Sequence, residues 1–130
     1  MAQTSEKGKD KGKATATTTT DLTTLEQICG NDKQTYQALS YMLLDPRKID
    51  VSMEDAVSNA EKAEKEKDST RARMWYEVAG GLALYEGDPK KVAEYYGEAE
   101  RVTGEKYPLA HNPDKAVAKA QEYYKRYLQS

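Results

Sequence analysis

The chain has 130 residues, 22 acids against 20 bases and a net charge of −2, a length that suits one domain. Its mean hydropathy of −0.93, with no apolar run near the ~18 residues of a membrane span, excludes a transmembrane segment. A single cysteine, Cys29, excludes an intrachain disulfide and fits a reducing compartment. No apolar stretch follows the lysines of MAQTSEKGKDKGK, so no secretory signal is expected there and the expected location is cytoplasmic. Phe is absent, Tyr numbers ten and Trp one. The core must be built from Ala, Leu, Val and Tyr, and a short chain buries a small share of its surface. A partner or a second copy would add what such a core lacks.

Residues 1–20 are low in complexity, with Lys7, Lys9, Lys11 and Lys13 against Glu6 and Asp10. Without apolar side chains the segment cannot offset its ordering entropy, and a disordered basic tail is expected. A single helical domain is expected over 21–130. Thr23 and Glu26 form a capping-box pattern before Leu25, Ile28 and Cys29, and Gly30 closes that short helix. Asn31 or Asp32 caps the next, which carries Tyr36, Leu39 and Leu43 on one face and stops before Pro46. Ser52 with Asp55 opens a third helix with a narrow stripe of Met53, Ala56, Val57, Ala60 and Ala63. Ser69 or Thr70 is expected to cap a fourth, with Met74, Trp75, Val78, Ala79, Leu82 and Tyr85 as its apolar stripe. Gly87 ends it.

Asp88 and Pro89 then give a cap and a first-turn proline. The fifth helix buries Val92, Tyr95, Tyr96, Ala99 and Val102 and ends at Gly104. EKYPLAH reads as a loop. Asn112 and Pro113 start a last helix bearing Ala116, Val117, Ala120, Tyr123, Tyr124, Tyr127 and Leu128. No stretch alternates long enough for a strand. The expected fold is all-α: antiparallel hairpins or a bundle of five to six short helices, since short connections make consecutive helices antiparallel neighbours.

The Gly80–Gly81 pair inside the fourth helix calls for an explanation, because glycine costs about 1 kcal/mol against alanine in a helix interior. Residues 73–106 supply one for Gly80. Around the EGD turn, Tyr76, Gly80 and Ala83 on one helix and Val92, Tyr96 and Ala99 on the next resemble one tetratricopeptide unit, whose period is ~34 residues. In that family the glycine lets the two helices of a unit approach closely. Ala56 and Ala63 precede Val92 and Ala99 by nearly one such period, a fainter second unit with Tyr36–Leu44 as its first helix and 113–128 as a capping helix. DPRKIDVS is longer than a repeat turn, and Gly104 stands where the family has proline. The resemblance implies a protein- or peptide-binding surface on Met74, Glu77, Gly81, Leu84 and Tyr85. It gives no account of Gly81's missing side chain. The Lys and Asn with which some members grip a terminal carboxylate are absent.

Site chemistry is sparse. GKDKGKAT at 8–15 has three residues rather than four between its glycines and Ala14 where a phosphate-binding loop needs Ser or Thr. One His and one Cys, His111 and Cys29, make no zinc set and no nucleophile–base pair, so His111 reads as a loop residue and Cys29 as packing. Asp50, Glu54 and Asp55 lack calcium-loop spacing. No catalytic residue, cofactor or metal is expected, and an enzyme is the poorer reading. Tyr95–Tyr96 and Tyr123–Tyr124 read as pairs straddling a helix face, one ring buried and one wet. The expected function is a small helical adaptor or assembly subunit that binds another protein or peptide. The alternative is a nucleoprotein subunit that binds nucleic acid through the basic tail and Lys119, Tyr123, Arg126 and Tyr127, where aromatic faces sit beside positive charge.

Overall fold

The structure is a computed structural model that describes residues 22–127. The expected tail over 1–20 and Leu128 lie outside those residues. Among the described residues seven α-helices follow one another: α1 (Leu22–Cys29), α2 (Lys33–Met42), α3 (Met53–Lys65), α4 (Ser69–Glu86), α5 (Pro89–Thr103), α6 (Pro108–His111) and α7 (Pro113–Tyr127). A 3-10 turn, Pro46–Lys48, links α2 to α3, and no strand occurs among the described residues.

Side-chain caps set most of the starts. Asp32 accepts from Thr35 N–H at 3.2 Å, Ser52 from Asp55 N–H at 3.0 Å and Asp88 from Lys91 N–H at 3.1 Å. Each satisfies a donor that the first helical turn leaves unpaired. Gly87 and Gly104 close α4 and α5 at φ 78° and 76°, a left-handed conformation that glycine takes without Cβ strain. Two expected caps are corrected. Thr23 lies inside α1, which already begins at Leu22. Asp68 caps α4 by accepting from Arg71 N–H at 3.1 Å, which puts Ser69 and Thr70 in the first turn.

Helix α4 is the centre. It packs along α3 on one side and α5 on the other, and α7 reaches it as well. Helices α1 and α2 pair with each other and lie against α7, and α2 also meets α6. Every residue from Ala79 to Leu84 is buried, as in a helix with neighbours all round. This corrects the expected stripe of α4. Tyr76, Ala79, Gly80 and Ala83 are deeply buried, Met74, Trp75 and Val78 only partly, and Tyr85 is 42 % exposed.

The glycine pair is explained by two different neighbours. A Cβ on Gly80 would stand 2.6 Å from the Tyr96 ring of α5. A Cβ on Gly81 would stand 2.7 Å from Leu44 Cδ2 and 3.2 Å from the Met42 carbonyl oxygen. Both distances fall well inside normal carbon contact. Gly80 therefore admits α5, and Gly81 admits the chain leaving α2. Tyr124 of α7 holds that chain from the other side, its hydroxyl donating to the Leu44 carbonyl at 2.6 Å.

At the other end of α4, polar groups do the fastening. The Tyr76 hydroxyl donates to Glu64 of α3, and Arg101 of α5 donates to both Glu64 oxygens at 2.8 Å and also to Glu98. The Tyr76 hydroxyl, then Arg101, hold the Glu64 carboxyl below its usual range. Two further readings change. EKYPLAH is not all loop, because Pro108–His111 forms α6. Tyr123 and Tyr124 are both buried rather than one wet and one dry, whereas Tyr96 is buried and its neighbour Tyr95 only partly so, as expected.

Candidate functional site

The surface is broken by an open groove of about 380 Å³ between α2, α4 and the chain that enters α6. One wall is α2, where Gln34, Gln37, Ala38 and Tyr41 recur at i, i+3, i+4 and i+7, the spacing of one helical face. The opposite walls carry Arg73 and Glu77 of α4, one turn apart, and Glu105 and Lys106. Met42, Tyr107, Pro108 and Leu109 add apolar surface. Tyr41 is 71 % exposed, more than any other large hydrophobic residue among those described.

The far wall is held by a chain of polar contacts. The Tyr107 N–H donates to Glu100 Oε2 at 2.7 Å, and the same oxygen meets His111 Nε2 at 2.7 Å. The backbone bond from Tyr107, then His111, keep the Glu100 carboxyl below its usual range. The Tyr107 hydroxyl donates to Glu77 Oε2 at 2.6 Å. Burial, then that carboxylate, push the Tyr107 phenol up, with Arg73 opposing. Behind it the Tyr96 ring stacks on Tyr107 at 6.0 Å between centroids. Tyr96 is fully buried, and its hydroxyl finds no hydrogen-bond partner among the described residues.

The structure separates the residues expected to bind protein. Glu77 lines the groove, and Met74, three residues earlier on α4, is partly exposed. Gly81 lies under Leu44, Leu84 is fully buried, and Tyr85 sits edge-on against Tyr124 at 5.2 Å, outside the groove. The residues of the nucleic-acid reading are engaged within the chain. Lys119 Nζ donates to the Ile28 carbonyl at 3.0 Å, Tyr123 is buried, and Arg126 pairs with Glu122 at 2.8 Å. The Tyr127 side chain lies outside the described residues. His111 belongs to α6 rather than to a loop, and Cys29 is buried.

Tyr41, Arg73 and Lys106 were not singled out from sequence. The signal for Tyr41 was present: the apolar face of α2 runs through Leu39 and Leu43, which leaves Tyr41 as a large ring on the opposite side. Arg73 and Lys106 belong to different elements, and only the fold brings them to one groove. No group of three or more His, Cys, Asp and Glu side chains is placed to hold a metal ion among the described residues, and no helix there is long and apolar enough to cross a membrane.

Compared with known proteins, the chain matches no family model, no curated protein and no solved structure.

Proposed function

We propose that this chain is a small, cytoplasmic helical adaptor or assembly subunit without catalytic activity, and that its docking surface is the α2–α4–α6 groove. One observation carries the reading: a large aromatic ring, Tyr41, stands 71 % exposed on the lip of an open groove that mixes apolar residues, Met42, Tyr107, Pro108 and Leu109, with the charged Arg73, Glu77, Glu105 and Lys106. Mixed apolar and polar surface is usual for a protein interface, and exposed aromatic anchors supply much of the energy of such contacts. A helix or extended segment of another protein is the matching occupant. The tetratricopeptide-like arrangement belongs to the same proposal. Its support is the α4–α5 hairpin closed at Gly80, with α2 and α4 presenting neighbouring faces to the groove.

The nucleic-acid reading has less behind it, since Lys119, Tyr123 and Arg126 are spent on contacts within the chain. Affinity purification of the full chain from its native lysate, with and without nuclease, tests the choice. Proteins retained after nuclease are the expected result. Recovery that disappears with nuclease would replace the adaptor with a nucleoprotein subunit.

A further inference from the structure

We infer that His111 is a pH-dependent latch on the far wall of the groove: charged, it clamps Glu100 and holds that wall in place, and neutral, it relaxes the clamp. The inference rests on the groove being the docking surface and names how that surface is regulated. The far wall is residues 105–109, all of which line the groove. Helix α6 has only four residues and no side-chain cap at Tyr107, so its own backbone does little to fix it. Its polar fastening is borrowed from longer helices. Glu77 of α4 takes the Tyr107 hydroxyl at 2.6 Å. Glu100 of α5 takes both the Tyr107 N–H and His111 Nε2, each at 2.7 Å and on the same oxygen. That oxygen ties the residue before α6 to the last residue in it, with Pro108 and Leu109 of the wall between them.

His111 is the chain's single histidine, and histidine is the side chain whose charge ordinarily changes between about pH 5 and 8. Glu100, held below its usual range chiefly by the Tyr107 N–H, stays ionised through that window, and burial pushes the Cys29 thiol away from it. Helices α2, α5 and α7 pack against α6. Besides Glu100, they and the connection ahead of α6 bring Asp32, Lys33, Arg101, Glu105, Lys106, Asp114 and Lys115 to this end. Lys115 is taken up by Asp32 at 2.8 Å and Arg101 by Glu64 and Glu98, whereas Glu100 is the group that His111 bonds. A protonated imidazole makes a charge-assisted bond to that carboxylate. A neutral one keeps the contact only with its hydrogen on Nε2, and the bond is weaker. His111 is 55 % exposed, so the difference is on the scale of an exposed ion pair, about two- to fivefold in closure of the wall.

Amide hydrogen exchange of the full chain, followed by NMR between about pH 5.5 and 8, tests this. The Tyr107 amide reads the clamp. The Lys91 amide is the control, because it bonds the Asp88 carboxylate at 3.1 Å with no histidine taking part. Corrected for the intrinsic rate, Tyr107 protection should fall about two- to fivefold as the pH rises, along the same curve as the imidazole carbon shifts, while Lys91 protection holds. His111→Gln keeps a neutral donor at the position and should show the lower Tyr107 protection at every pH. Tyr107 protection that is flat in wild type, that falls equally in His111→Gln, or that falls together with Lys91 overturns the latch. Each of those results leaves the groove standing as a docking surface, whose own failure shows separately as equal recovery from lysate by wild type and Tyr41→Asp.

Discussion

Gly80 and Gly81 are neighbours in the sequence, yet they close two seams built in opposite ways. The α4–α5 seam is filled by one ring: Tyr96 lies over Gly80, fully buried, with its hydroxyl unpaired among the described residues. At the other seam, between α4, the 42–44 chain and α7, Leu44 lies over Gly81 while its carbonyl takes the Tyr124 hydroxyl. The first gains from apolar packing and bears the cost of a desolvated hydroxyl. The second joins packing to a hydrogen bond that fixes where the chain after α2 must run. Close approach in this molecule is set by missing side chains, and direction by tyrosine hydroxyls. The second seam matters most for the groove, because it anchors the end of the α2 wall.

The largest effect should come from emptying the first seam. Tyr96→Ala removes a buried ring and should cost about 3–5 kcal/mol, the range for aromatic truncation in a core, measured by urea denaturation. Tyr124→Phe tests the second seam. It keeps the ring but leaves the buried Leu44 carbonyl without its donor, and should cost about 1–3 kcal/mol. Tyr96→Phe should go the other way and stabilise by about 1 kcal/mol, since it deletes a buried hydroxyl that has no partner. A loss on Tyr96→Phe as large as that on Tyr124→Phe would erase the distinction between the seams.

The glycines sharpen it further. Gly80→Ala and Gly81→Ala each gain about 1 kcal/mol of helix propensity but force overpacking of about 1–3 kcal/mol, a net loss of about 1 kcal/mol. Gly97 in α5 is the control, because a Cβ there meets nothing within 4 Å. Gly97→Ala should stabilise by about 0.5–1 kcal/mol, read in the same denaturation series. The smallest effect is electrostatic. Bonds from Lys115 of α7, then from the Thr35 N–H and hydroxyl, draw the Asp32 carboxyl down to about 2. A depressed carboxylate adds stability above its unfolded value of about 3.9 and loses it as pH falls toward the folded one. The advantage of wild type over Asp32→Asn in thermal melting should therefore be full at neutral pH, shrink below about pH 4 and fade near pH 2.

How much of this the sequence held can be argued residue by residue. Ser52 and Asp88 were legible as caps, and Asp32 as one of two candidates with Asn31, because the signal is local: a short acceptor side chain ahead of an amphipathic run. At Asp68–Ser69–Thr70 three acceptors stand in line, and local pattern could not choose among them. Helix α6 was missed because it has only four residues and Tyr107 makes no side-chain cap bond. It is held instead by Glu100, which takes the Tyr107 N–H and His111. A close approach at Gly80 was legible from its spacing to Tyr96 across one tight turn. Gly81 was not, because its neighbours, Leu44 and Met42, lie across two intervening helical connections. Of the groove's charged groups the sequence reading named only Glu77; Glu105 and Lys106 come from the chain before α6, and only the fold sets them opposite Arg73 and Glu77 of α4.

The most direct test of the groove as a docking surface is affinity recovery with a tagged full chain and its Tyr41→Asp variant, side by side in nuclease-treated native lysate. The account predicts that wild type retains protein and that Tyr41→Asp loses it while remaining as helical as wild type. Equal recovery by both chains would contradict the account and move the interface off the α2–α4–α6 groove.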